Sequence, residues 1–193
     1  IQAARLLAER GWDVGLLRCG ARFKPNQEEF NNGEIIALRN DKPGSREVTL
    51  SENANVLSRF PDTGIPASWS LRTSTGESIL VFNFEGTVSN DNSYRNYMRA
   101  EQIRNFLTSS GVQLPAVVTS RNPDVYLQCK TGEKSIAIGI WNCSPDYVSK
   151  MTIALGDNYR SCRFAGCNGK LAGKKLIIDY LAAFSFAVIK LTK

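Results

Sequence analysis

From Val125 to Leu191 the apolar residues recur at every second position, and this alternation limits the fold more than any other feature of the chain. A period of two puts all of the apolar side chains on one face only if the backbone is extended. Val125, Leu127 and Cys129 alternate with Tyr126, Gln128 and Lys130, and Ile136, Ile138 and Ile140 share a second face. Met151, Ile153 and Leu155 repeat the pattern, and residues 159–164, 171–178 and 184–191 complete six predicted strands. Thr131-Gly132-Glu133, Ser144-Pro145-Asp146, Gly156-Asp157-Asn158 and Asn168-Gly169 are the turns between them. Short strands at this spacing predict an all-β antiparallel sandwich over residues 113–193.

Residues 1–112 read differently. Ala3, Leu6 and Leu7 form the stripe of a short helix that Gly11 stops, and residues 12–17 read as a strand. Further strands are expected at 34–38, 47–50, 55–60, 68–72 and 78–84, with turns at Asn31-Asn32-Gly33, Lys42-Pro43-Gly44 and Thr75-Gly76. A longer helix follows, capped by Ser93, with Tyr94, Tyr97, Met98, Ile103, Phe106 and Leu107 facing a core. Arg95, Arg99 and Arg104 are assigned to its wet face, and Glu28-Glu29 to a solvated loop. Val112-Gln113-Leu114-Pro115 is the junction, so the expected organisation is an α+β domain over 1–112 and a sandwich over 113–193.

Histidine is absent, which removes Ser-His and Cys-His nucleophile pairs, the usual neutral-pH general base and His-containing zinc sites. Neither GxGxxG nor GxxxxGK[ST] occurs. The five cysteines are odd in number and include no CxxC pair, so they read as small hydrophobes in a reducing compartment; whether Cys162 and Cys167 pair stays open. No catalytic residue, metal ligand or cofactor is assigned. The longest apolar run, residues 182–189, is interrupted by Ser185 and is far short of the about 20 residues of a membrane span. Residues 1–112 carry 13 Lys/Arg against 13 Asp/Glu, whereas residues 113–193 carry 11 against 5. The basic residues are scattered over turns and alternate strand positions, which fits a solvated sheet better than a nucleic-acid surface.

Sugar recognition calls for aromatic ring faces flanked by amides or carboxylates. Trp12, Trp69 and Trp141 are candidate rings, and Trp69 and Trp141, with Asn142 and Asp146, are the carbohydrate-binding residues assigned. The preferred reading of the two tryptophans is nevertheless packing, in a core or at a domain contact.

Two sets of motifs carry a resemblance. Asp124-Val125-Tyr126-Leu127, the run from Ser135 to Asp146 and the closing strand Ala183-Phe184-Ser185-Phe186-Ala187-Val188-Ile189-Lys190-Leu191 resemble the C-terminal β-domain of bacterial, β-galactosidase-like glycoside hydrolases. Leu181-Ala182-Ala183 stands where that family has a proline-containing loop. Residues 4–15, Ser58-Arg59-Phe60, Pro66-Ala67-Ser68-Trp69 and residues 76–82 are similar to the region that precedes this domain. The resemblance implies that the acid and nucleophile, two carboxylates at barrel strand ends, lie upstream. It therefore implies a non-catalytic accessory region, cytoplasmic and bacterial, packed on a catalytic domain of the same polypeptide. The start at Ile1, inside a predicted helix, agrees with a piece of a longer chain. Carbohydrate and a second copy of the chain are the further partners considered. The rival readings are a stand-alone carbohydrate-binding module and, less favoured, a polyanion or nucleic-acid binder.

Overall fold

Gly11 ends the first helix with a φ of +83°, a conformation that costs glycine little, and helix α1 spans Gln2–Glu9. The structure, a computed structural model, describes residues 1–38, 44–84, 96–122 and 124–193. Lys42-Pro43 of the second predicted turn, the Ser93 cap, Tyr94 and Arg95 lie outside the described residues. Most of what is described is antiparallel strand, arranged in two compact units, Ile1–Ser110 and Gly111–Lys193.

In the first unit, strands β1 (Leu16–Phe23) and β4 (Ser45–Leu50) form a two-stranded ribbon. Strands β2 (Gln27–Phe30), β3 (Ile35–Ala37), β5 (Asn55–Arg59), β6 (Pro66–Arg72) and β7 (Ser78–Phe82) form a sheet in the order β3-β2-β5-β6-β7. Helix α2 spans Tyr97–Ser109; the Asn96 side chain caps it by accepting from the Arg99 amide, and Gly111 follows it at φ +85°. Successive β6 residues face opposite sides of the sheet, and Ala67, Ser68 and Trp69 are all buried. Trp69 and Leu71 join Ile1, Ala4, Val14 and Val81 in one core, while Ser68 faces α2. Leu38, Phe60, Ala67 and Phe84 make a second small core.

Residues 12–14 are not strand, contrary to the sequence reading. The Asp13 carboxylate accepts from the Gly15 amide at 3.0 Å, and Gly15 turns at φ +70° against the Trp69 ring, so β1 begins only at Leu16.

The second unit is a sandwich. Strands β9 (Val125–Thr131), β10 (Ser135–Asn142), β12 (Ser161–Ala165) and β15 (Ser185–Thr192) make one sheet, in the order β12-β15-β10-β9. Strands β8 (Ala116–Val118), β11 (Val148–Leu155), β13 (Asn168–Ala172) and β14 (Lys175–Leu181) make the other, in the order β13-β14-β11-β8. The alternating isoleucines Ile136, Ile138 and Ile140 are fully buried between the sheets with Met151, Ile153, Ile178 and Ile189. Burying each such side chain is worth about 1.5–3 kcal/mol.

Three features depart from the six expected strands. The segment 171–178 is not continuous, because Gly173 takes φ +59° and folds it into the β13–β14 hairpin. Asn168-Gly169, read as a turn, belongs to β13, and the short strand β8 pairs with β11. Among the described residues no helix is long and apolar enough to cross a membrane.

Candidate functional site

Adjacent residues on a strand face opposite ways, so Glu28 and Glu29 cannot share a loop surface once β2 forms. Glu28 is fully buried and Glu29 is exposed, which corrects the solvated-loop reading of the pair. Arg99, assigned to the wet face of α2, is also fully buried and meets Glu28 at 2.5 Å. Its guanidinium lies 4.6 Å from the Phe82 ring centroid and 5.2 and 5.4 Å from those of Phe84 and Phe30. Three aromatic faces therefore share the desolvation of one cation.

The pair is part of a closed circuit of hydrogen bonds. Arg99 donates to Glu28 Oε2 and, from Nη1, to Gln102 Oε1 at 2.5 Å. Gln102 Nε2 donates to Ser68 Oγ at 2.7 Å, and Ser58 donates to Glu28 Oε1 at 2.5 Å. The Ser58 and Ser68 hydroxyls are 2.5 Å apart; because Ser58 spends its proton on Glu28, Ser68 is the donor there. Every buried polar partner is satisfied, as such a network requires. Burial pushes the Glu28 carboxyl above the ordinary carboxylate range, with Arg99 and the Ser58 hydroxyl pulling against it.

This circuit underlies a cleft of about 340 Å³ between α2 and the sheet. Met98, Glu101, Gln102, Asn105, Phe106 and Ser109 recur at helical spacing and give one wall. Phe30, Asn55, Leu57 and Ser70 give the other; Asn55 and Ser70 are register partners across β5 and β6. The α2 face turned to the sheet buries Met98 of the apolar stripe together with Arg99 and Gln102, while Ile103 of that stripe is exposed. One signal for this was available: Glu28 and Phe30 on one side of a strand, and Arg99 and Gln102 three apart on a helix.

The sequence candidates fall elsewhere. Trp69 is fully buried and donates its indole N–H to the Val14 carbonyl at 2.9 Å, so it presents no ring face to solvent. Trp141 lies on the outer side of β10, opposite the isoleucines, with its ring beside Phe186 at 4.7 Å and over Gly139. Asn142 is 2% exposed; its amide donates to the Asp146 and Ala182 carbonyls and its oxygen accepts from the Ser144 amide. Asn142 is therefore engaged in holding the β10–β11 turn, and Asp146 is exposed on that turn. Trp141, Asn142 and Asp146 are neighbours in the second unit, and Trp69 belongs to the first.

All five cysteines are free, Cys162 and Cys167 included. Burial raises the thiols of Cys129 and Cys167, which disfavours the reactive thiolate. Among the described residues no group of three or more acidic or cysteine side chains is placed to hold a metal.

No family model and no curated protein sequence matches the chain. Solved structures do. A cold-adapted β-galactosidase from Rahnella sp. R3 matches with a TM-score of 0.54 at 15% identity, over 93% of this chain and 24% of its own. An α-L-fucosidase from Paenibacillus thiaminolyticus matches at 0.52 and 12%, over 93% of this chain and 33% of its own. A GH42 β-galactosidase from G. stearothermophilus matches at 0.51 and 10%, over 93% and 24%. The likeness is one of fold, and the chain spans a quarter to a third of the length of these enzymes.

Proposed function

We propose that this chain is a non-catalytic accessory region of a bacterial carbohydrate-active hydrolase, packed on or near an upstream catalytic barrel of the same polypeptide. The observation that carries this reading is the coverage: 93% of the chain, both units included, follows a quarter to a third of glycoside hydrolases of different specificity. An architecture shared by a β-galactosidase and a fucosidase is better suited to support than to one substrate's chemistry. The fate of the carboxylates agrees. Glu28, the most strongly enclosed among the described residues, is committed to Arg99 and Ser58, and Glu29 points to the other side of β2.

In this reading residues 1–112 are the tail of an inter-domain region and residues 113–193 the terminal sandwich. The second unit supplies a supporting body built on a well-packed apolar core between its two sheets. Five free thiols are compatible with a reducing setting, which the reading takes to be the bacterial cytoplasm. Contact with carbohydrate through Trp141 and Asp146, and contact with a second copy of the chain, are further roles that this reading leaves to the intact protein.

An immunoblot of source cells with an antibody raised against this chain tests the reading. It expects a species several times larger than 193 residues that carries glycosidase activity when captured. A species of 193 residues, or a larger one without activity on any glycoside, overturns it.

A further inference from the structure

We infer that the cleft between α2 and the β2-β5-β6 surface binds a neutral sugar of one or two rings. The volume, about 340 Å³, lies at the small end of the about 300–1,000 Å³ range of small-molecule sites. Its lining combines ring surface from Phe30 and Phe106 with the side-chain amides of Asn55, Gln102 and Asn105 and the Ser70 hydroxyl. Amides both donate and accept, which suits vicinal hydroxyls, and the rings suit the C–H face of a pyranose.

The charges of the lining narrow the class further. Among the described residues no lysine or arginine lines the cleft, and Glu101 is its one carboxylate, held by Arg104 at 3.4 Å. A phosphate, sulfate or uronate would meet repulsion and no counter-charge; a neutral polyol meets partners. Arg104 is paired with Glu101, and the buried Arg99 is neutralised by Glu28 beneath the floor and fixes the orientation of the Gln102 amide. The amide that the ligand would meet is therefore pre-set, which lowers the ordering cost of binding. Asn55 and Asn105 stand on opposite walls, both exposed and without a side-chain partner among the described residues.

The ligand class rests on this lining; the choice of galactose, lactose and fucose as probes rests on the accessory reading. Saturation-transfer NMR on the full chain with each of these sugars is the test, with glucuronate as the charged comparison. The expected result is millimolar binding of at least one neutral sugar and weaker binding of glucuronate. Asn55→Leu and Asn105→Leu, both at exposed positions, should each weaken it at least about tenfold while leaving the unfolding midpoint unchanged. Lys170→Ala, at an exposed position of the second unit, should leave binding intact. Absence of transfer to all of the neutral sugars overturns the inference without touching the accessory reading, which stands on the size and activity of the parent protein. Transfer that survives both asparagine variants also overturns it and moves the sugar contact away from the cleft.

Discussion

The Glu28 carboxylate and the Arg99 guanidinium meet at 2.5 Å with neither side chain exposed, joining a four-residue strand to the helix that crosses it. Removing one partner leaves a buried charge without compensation. Glu28→Gln or Arg99→Met alone should lower stability by about 3–5 kcal/mol, whereas the double variant should recover most of the loss. Urea denaturation of the four proteins gives the coupling energy; additive losses would contradict the buried-pair geometry.

Trp69 fills the core of the first unit and satisfies the Val14 carbonyl. Trp69→Phe should cost about 2–4 kcal/mol, from the cavity and from the orphaned carbonyl together. Thermal unfolding of the variant reads this directly, and an unchanged midpoint would mean that the indole is not enclosed.

Two glycines of the sandwich separate side-chain from backbone crowding. A Cβ at Gly139 meets the Trp141 ring at 2.9 Å, and that ring lies at the surface and can swing away. A Cβ at Gly169 overlaps the Ile177 carbonyl oxygen, which the β13–β14 ladder holds. Gly139→Ala should therefore shift Trp141 emission at a cost of about 1 kcal/mol, and Gly169→Ala should cost about 3 kcal/mol or more. Equal losses in denaturant titrations would refute the distinction.

The acid limb of the stability profile has identifiable contributors. Lys193 holds the Asp157 carboxyl below the ordinary range, and the Thr73 and Thr75 hydroxyls do the same for Glu77. A carboxyl lowered in the folded state adds stability above its unfolded value and loses it as the pH falls through its folded value. Glu28, raised by burial, has the opposite sign: its contribution falls as the pH rises from the unfolded carboxylate value through the folded one. Asp157→Asn and Glu77→Gln should each lower stability slightly at neutral pH, where the contribution is present, and converge with the parent protein in acid, so that the decline is flattened. Unfolding midpoints measured from acid to neutral pH check both, and parallel curves would argue against these contacts.

Much of the strand content was legible because a period of two leaves few alternatives. Ile136, Ile138 and Ile140 are buried, Gly76 turns the β6–β7 hairpin, and Gly11 stops α1, each for a reason local to a few residues. The hairpin inside 171–178 was not legible, since Gly173 between two apolar stretches reads equally as an interior strand glycine. Nor was the cleft. By its own periodicity α2 offers Ile103 as core and Arg99 as surface, and the fold does the reverse.

The physical reason is that burial of a charge is decided by its partner, not by its own segment. Glu28 and Arg99 are 71 residues apart, and each looks solvated until β2, β5, β6 and α2 bring carboxylate, guanidinium, hydroxyls and amide within hydrogen-bond reach. Alternation and turn chemistry are properties of neighbouring residues, so the sequence alone determined where the chain extends and where it bends. Only the tertiary structure decided which polar groups are desolvated together, because that depends on distances between elements that no local pattern records.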